Sequence, residues 1–556
     1  MNYFLIVQSW LQDNLHDYLE ALGPAGGQLP PITVEPPRQP EFGDVATPIA
    51  MQLARPLRRP PLEIAQEIIG RLPSSDLFSR IEAAKPGFIN FTLSDKALHD
   101  LLRRVESAGS DFARGTPDKP RRIMVEFVSA NPTGPLHIGH GRNAVVGDTV
   151  ARVLEMVGHN VHREYYYNDA GVQMRILGES LRLRYLQECG EAIAFPDDHY
   201  RGDYMIDIAR KLKAEHGDAL KDSADLEFFT RYAADDIMAG ITADCRDLDI
   251  RHDQYFSETT VHKNGEVEEA LERLRERGDL YEHEGALWIR TSKYGDDKDR
   301  VVKKSDGSYT YLAPDIAYHL DKVKRGFDQL INVLGADHHG YVPRLRGAFQ
   351  AMGYPPDMIH CIIIQMVRLK NQPKLSTRRG DFLTLREMID ELGKDVVRFF
   401  LLMRNADSQM EFDWALAKDT SDKNPVFKCQ YAHARMCSLF RKAAELGLPW
   451  VSVAASPLER LTAPEERTLM RTIALLPEIV RKCAVALEPQ PLTTFALDLA
   501  TAFNQWFSLG NTNPAARVIF PEDTALTQAR LALVHATKIA LRTVLDLLGV
   551  GAPERL

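Results

Sequence analysis

Two histidines three residues apart, His137 and His140, flank Gly139 within VEFVSANPTGPLHIGHGR (125–142). An imidazole can donate a hydrogen bond to a phosphate oxygen whose charge grows in a transition state. A glycine lets a bulky nucleotide come close to the backbone. The flanking residues put these groups at a strand-to-helix crossing. Ile123 to Val128 is short, mostly apolar and β-prone, and Asn131, Pro132, Gly134 and Pro135 break it. From Asn143 onward, Val146, Val150, Val153, Leu154 and Val157 recur with helical spacing, Gly158 stops the helix, and Val161 to Tyr167 reads as a second strand. The N-terminus of such a helix has unpaired amide N–H groups and partial positive charge, which suits phosphate. On the residues alone, an ordinary polar turn or half of a metal site remains open for an HxxH spacing.

A second group of chemically capable residues is the loop KNQPKLSTRRGD (370–381), with Lys370, Lys374, Arg378 and Arg379. A cationic loop closing over a triphosphate would stabilise leaving pyrophosphate; a bare charge run is more often a solvated loop. This loop follows Ile362–Leu369, read as one strand, and GADHHG (335–340) follows another, Gln329–Leu334. Strands alternating with helices imply a parallel sheet, whose ligands sit at the carboxyl ends of the strands where the order reverses. The expected fold is therefore α/β: a doubly wound, Rossmann-type catalytic domain, with an α+β domain before it and an all-α bundle after it.

At 556 residues, and roughly 150 residues per domain, the chain has room for three or four domains. The expected units are 1–115, 116–414 with a mostly helical insertion at about 184–300, and 415–556, where Val534, Leu541, Leu545 and Leu548 have helical spacing. Apolar content of 44% and charged content of 26% are those of a globular protein, and no apolar run is long enough to span a membrane. The opening MNYFLIVQSWLQDNLHDYLEAL carries Asp13, Asp17 and Glu20 and reads as a folded helix rather than a signal peptide, so a cytoplasmic protein is expected. The six cysteines form no CxxC pair, so no structural zinc is expected. A net charge of −9 argues only mildly against nucleic-acid binding, because phosphate contact needs local basic patches.

The HIGH turn (137–140) resembles the nucleotide-binding signature of class I aminoacyl-tRNA synthetases. KLSTR (374–378) resembles the KMSKS loop of that class, with Thr377 where the pattern has its second lysine. Longer stretches narrow the resemblance to bacterial arginyl-tRNA synthetases: EFVSANPTGPLHIGHGR, LKNQPKLSTRRGDFLTLREMIDELGKDVVRF, NPVFKCQYAHARMCSLF (424–440) for the helical anticodon-binding domain, and PEFGDVATPIAMQLA (40–54) with PGFINFTL for the additional N-terminal domain.

The resemblance implies ATP-dependent ligation of L-arginine to tRNA(Arg) through an arginyl-adenylate, with Mg²⁺ carried by the ATP. It implies a monomer and no resident metal. ATP contacts fall on His137, Gly139, His140, Lys374 and Ser376, and catalytic cations on Lys374, Arg378 and Arg379. Glu258, Tyr311 and Asp315 match the pocket for the arginine side chain, and carboxylates suit a planar guanidinium with five donors. Glu126, Ser129, Asn131 and His338 match positions around the substrate's amino and carboxylate groups, and Tyr431, His433 and Arg435 are candidates for tRNA contact. Two other readings are a nucleotidylyltransferase, which shares the HxGH turn but is typically short, and a relative that binds RNA without catalysis.

Overall fold

The computed structural model describes residues 2–21, 30–370 and 383–556. At its centre is a five-stranded parallel sheet built from β1 (Arg122–Glu126), β2 (Asn160–Tyr167), β3 (Gln254–Ser257), β4 (Gln329–Gly335) and β5 (Ile359–Ile364), in the order β5-β4-β1-β2-β3. The chain winds outward from β1 through β2 to β3, then returns to the other side of β1 to lay down β4 and β5. The strand order thus reverses between β1 and β4, which makes the crevice above those two strands the expected ligand site. The doubly wound α/β expectation holds.

Helix α1 (Ile138–Met156) crosses from β1 to β2. Its apolar stripe faces the sheet, yet Gly141 to Ala151 are buried without a break, because helices Lys394–Leu402 and Pro464–Ala486 cover the opposite side. A helix enclosed on all sides needs no polar face, so periodicity alone understates its burial. Gly147 allows the close approach: a Cβ there would lie 2.4 Å from the Phe127 ring.

Two buried arginines fasten α1 to the later chain. Arg142 donates to the carbonyls of Gln365 (2.9 Å), Asn405 (2.7 Å), Ser408 (2.8 Å) and Arg404 (3.3 Å). Arg398 donates to Asp148 on α1 (2.7 Å), to the Leu248 carbonyl (2.8 Å) and to the Leu548 carbonyl at the end of the last helix (2.7 Å).

The first grip explains a departure from expectation. Ile362–Leu369 is not one strand. β5 ends at Ile364, Gln365 is held by Arg142 and by the Ala406 carbonyl, and Val367–Leu369 pairs instead with Met410–Phe412. The stretch 184–300 also contains more than helices. After Val172–Glu188, Asp203–His216 and Leu226–Asp247 it supplies β3, the edge strand of the main sheet. Two short helices and an antiparallel sheet of Leu280–His283, Ala286–Ile289 and Arg300–Lys303 then follow.

The N-terminal unit is α+β, with a three-stranded antiparallel sheet (Val45–Thr47, Phe78–Ala84, Phe88–Leu93). The C-terminal unit is a bundle of four long helices, Pro425–Glu445, Pro464–Ala486, Gln490–Thr512 and Thr524–Leu548. No described helix is long and apolar enough to cross a membrane.

Asp148 is buried and pairs with both Arg398 and Arg152 (2.7 Å each), so losing Asp148 leaves the fully buried Arg398 without a carboxylate. Asp148→Ala is expected to cost about 3–5 kcal/mol, read as a lower thermal midpoint. Changing a surface arginine such as Arg103 should leave the midpoint in place.

Candidate active site

The turn between β1 and α1 is held under strain. Val128 and Ser129 both have positive φ, 66° and 44°, and a β-branched residue rarely adopts that region. Asn143 on α1 offsets this cost. Its side-chain oxygen accepts the Val128 N–H at 2.6 Å and its amide donates to the Val333 carbonyl of β4 at 2.8 Å, so one buried side chain pins the turn across the β1–β4 crevice.

At the mouth of that turn, His137 is the N-cap of α1. Its Nδ1 accepts the N–H of Gly139 (3.0 Å) and of His140 (3.3 Å), while Nδ1 of His140 accepts the N–H of His137 (3.4 Å). The rings stack at 3.8 Å and 15°. Both Nδ1 atoms act as acceptors, so both imidazoles are neutral with the proton on Nε2. Burial pushes the His140 pKa down to about 3, with His137 adding to the effect. Burial lowers His137 too, opposed by an interaction with its own backbone and by the charge of Asp337 in the loop after β4.

The second half of the site is acidic. Glu126, at the end of β1, is paired with the buried Lys322 (2.5 Å) and accepts the Ser129 hydroxyl (3.1 Å). Glu258, which opens a short helix after β3, accepts the Tyr166 hydroxyl at 2.6 Å. Asp315, in the first turn of α2 (Leu312–Lys324), accepts the Tyr341 hydroxyl. Burial pushes the Asp315 carboxyl up to about 7, the Glu126 and Glu258 charges add to that, and the Tyr341 hydrogen bond and Lys322 pull it back. Carboxylates from the ends of two strands, β1 and β3, and from helix α2 thus lie close enough for their charges to act on one another. Ser129 also accepts the Tyr166 N–H (3.2 Å), and Asn131 bonds the Asn168 N–H (3.1 Å) and Gln173 (3.2 Å), so both line the turn beside Glu126.

Two other candidates are exposed beside these groups, at the start of α2 and in the loop after β4. Tyr311 is 78% exposed at the start of α2, and the hydroxyl on Asp315 belongs to Tyr341. His338 is half exposed, 6.4 Å from the Tyr341 ring and near Asp337. Lys374, Ser376, Arg378 and Arg379 lie outside the described residues. The segments around them are anchored at the site: Lys370 N–H bonds the Phe412 carbonyl (3.0 Å), Thr384 bridges to His137, and Leu385 N–H bonds the Leu136 carbonyl (2.7 Å).

In the bundle, Arg435 lies over the rings of Tyr431 (4.5 Å) and Phe507 (4.7 Å) and bonds Asn504. His433, named beside them as a candidate for tRNA contact, makes a packing contact instead of facing solvent. It is 2% exposed and bonds the Pro553 carbonyl at 2.9 Å, tying down the C-terminal segment. Asn143, Tyr166, Lys322 and Tyr341 were missed. The one signal available for Lys322 was a polar stripe, Asp315, His319 and Lys322, at helical spacing on an otherwise apolar face.

A parallel sheet with a paired-histidine helix terminus at its strand reversal, followed by a helical bundle, is the architecture of a class I aminoacyl-tRNA synthetase. The family described as tRNA synthetases class I (R), catalytic domain, matches residues 109–413. The DALR anticodon binding domain matches 429–556 and the arginyl tRNA synthetase N terminal domain matches 9–93. Arginine–tRNA ligase of Citrifermentans bemidjiense is 46% identical over 95% of this chain and 96% of its own. That of Bacillus subtilis is 43% identical over 95% of each. Thermus thermophilus arginyl-tRNA synthetase shares the fold over the whole of both chains, with TM-score 0.80 at 23% identity. The chain belongs to the arginyl-tRNA synthetase family.

A cation entering the pocket favours ionised Asp315, so binding displaces a proton whenever that carboxyl is protonated beforehand. With the carboxyl at about 7, arginine affinity should rise by about tenfold per pH unit well below that value and level off above it. Calorimetric titration of arginine between pH 6 and 8 should show this slope, and Asp315→Asn should abolish it. At Gly139 a Cβ would lie 2.9 Å from the His137 ring; Gly139→Ala should displace the ring and lower kcat by about 10- to 100-fold, with the KM for arginine little changed in steady-state aminoacylation.

Proposed function

We propose that this chain ligates L-arginine to tRNA(Arg), with ATP entering as its Mg²⁺ complex. The observation that carries this reading is the convergence of two groups at one strand reversal. One is a pair of neutral imidazoles at the helix N-terminus after β1; the other is three carboxylates, Glu126, Glu258 and Asp315, whose charges act on one another. The first suits a triphosphate and the second suits a flat cation.

In the first step the arginine carboxylate attacks the α-phosphorus of ATP. The bond from that phosphorus to the α,β-bridging oxygen breaks, that oxygen leaves with diphosphate, and arginyl-adenylate results. The Nε2–H groups of His137 and His140 donate to phosphate oxygens as charge builds. Asp315 and Glu258 hold the guanidinium, while Glu126, Ser129 and Asn131 hold the amino end. Lys374, Arg378 or Arg379 supplies the cation that the pattern's second lysine would have given. In the second step the terminal adenosine hydroxyl of tRNA attacks the arginyl carbonyl and AMP leaves. The chain contributes position and electrostatics, and no covalent enzyme intermediate is needed.

Residues 1–115 hold the outer part of the tRNA and 415–556 its anticodon loop, where exposed Tyr431 and the adjoining Arg435 offer stacking and charge. The protein works in the cytoplasm as a monomer.

ATP–pyrophosphate exchange, screened over amino acids with and without tRNA, tests the proposal. Exchange with arginine that needs tRNA(Arg) supports it. Exchange with lysine but not arginine, or none with any amino acid, contradicts it. His137→Ala and His140→Ala should each lower kcat by about 100-fold or more, with arginine binding retained in calorimetry.

A further inference from the structure

Lys322 is a fully buried ammonium two turns along α2 from Asp315, on a helix face otherwise packed with apolar residues. As core filling a lysine is a poor choice, because an apolar residue of its length would occupy the space without the desolvation cost of a charge. Its contacts run in one direction. Lys322 Nζ donates to Glu126 Oε2 (2.5 Å) and lies 3.4 Å from the Asn332 side-chain oxygen. The Asn332 amide bonds His319 Nε2 at 2.7 Å, and His319 Nδ1 bonds the Asp315 carbonyl at 2.8 Å. Only one tautomer of His319 and one orientation of Asn332 satisfy every link, with each donor meeting an acceptor. A neutral His319 fits: burial and the Lys322 charge hold its pKa well below the ordinary value.

The chain begins at the carboxylate on β1 and ends on the backbone of the residue whose carboxylate faces it from α2. Those two carboxylates stand at opposite ends of the substrate pocket in the proposed function, on which this step rests. The geometry points to Lys322 as a positioning residue: the buried chain Glu126–Lys322–Asn332–His319–Asp315 fixes the separation between the carboxylate for the substrate's ammonium and the carboxylate for its guanidinium. The pocket thereby measures side-chain length as well as charge. Asn332, on β4 between the two, is the link that can be cut without removing a charge.

The test is steady-state aminoacylation by the full-length enzyme with tRNA, with thermal midpoints recorded for each variant. Lys322→Met should raise the KM for arginine by about 100-fold or more, as removing one partner of a buried charge pair does, with the KM for ATP nearly constant. Should that variant fail to fold, Asn332→Ala carries the test, because it cuts the link between the two carboxylates and leaves the Glu126–Lys322 pair in place. Asn332→Ala keeps the charge pair. It should cost about tenfold in KM for arginine and reduce the preference for arginine over the guanidino analogue one methylene longer.

A folded Lys322→Met enzyme with unchanged KM for arginine overturns the inference. So do variants in which the KM values for arginine and ATP rise together and length discrimination stays intact, the signature of a purely structural role. Glu126→Gln separates the two levels. If it leaves the KM for arginine unchanged, the substrate role of Glu126 itself fails; if it raises that KM while Lys322→Met does not, only the positioning role fails.

Discussion

The reciprocal cap at the start of α1 is the constraint on which the site depends. A helix N-terminus must satisfy its first amide groups somehow, and most do so with a serine, threonine or aspartate. Here two imidazoles do it for each other's backbone. That fixes three things at once. The rings stack, both Nδ1 atoms are committed, and both protons reside on Nε2. The pair is therefore a neutral double donor at a point where the helix already favours anions. The strained turn at Val128 and Ser129, the Asn143 staple to β4 and the grip of Arg142 on the segments before and after the basic loop all serve to keep that terminus where it is.

The acidic half of the site follows a complementary logic. Three carboxylates in one pocket repel, and the structure offsets that repulsion in different ways: a buried ammonium for Glu126, phenolic hydroxyls for Glu258 and Asp315, and partial protonation of Asp315. One internal positive charge against three potential negative ones leaves the pocket short of cation. That is the condition under which a doubly cationic amino acid is preferred over a neutral one. Placing Glu126 at a strand end and Asp315 on a helix lets the rigid sheet and α2 hold these charges apart.

Much of this was legible in the sequence because local patterns and the fold agree. The strand–turn–helix around His137 and His140, the strands at Val161–Tyr167 and Gln329–Leu334, and the helical C-terminal bundle all stand where periodicity and breakers put them. What could not be read was set by contacts distant in sequence. Ile362–Leu369 looks like one strand because nothing local shows that Arg142, 223 residues earlier, takes the Gln365 carbonyl. Full burial of α1 depends on two helices from later in the chain. Tyr341 as the partner of Asp315 could not be read either, because that pairing is made by how the β4 loop folds back over α2. His433 looked available on a helix, and the terminal Pro553 covers it.

The most direct test of this account is the protonation state of the histidine pair. Long-range ¹H–¹⁵N spectra of the protein labelled at histidine, with His137→Gln and His140→Gln for assignment, report the tautomer of each ring. Both rings should be neutral, with the proton on Nε2 and Nδ1 unprotonated, from about pH 6 to 8. A proton found on Nδ1 of either ring, or a titration of His140 near the ordinary imidazole value, would contradict it.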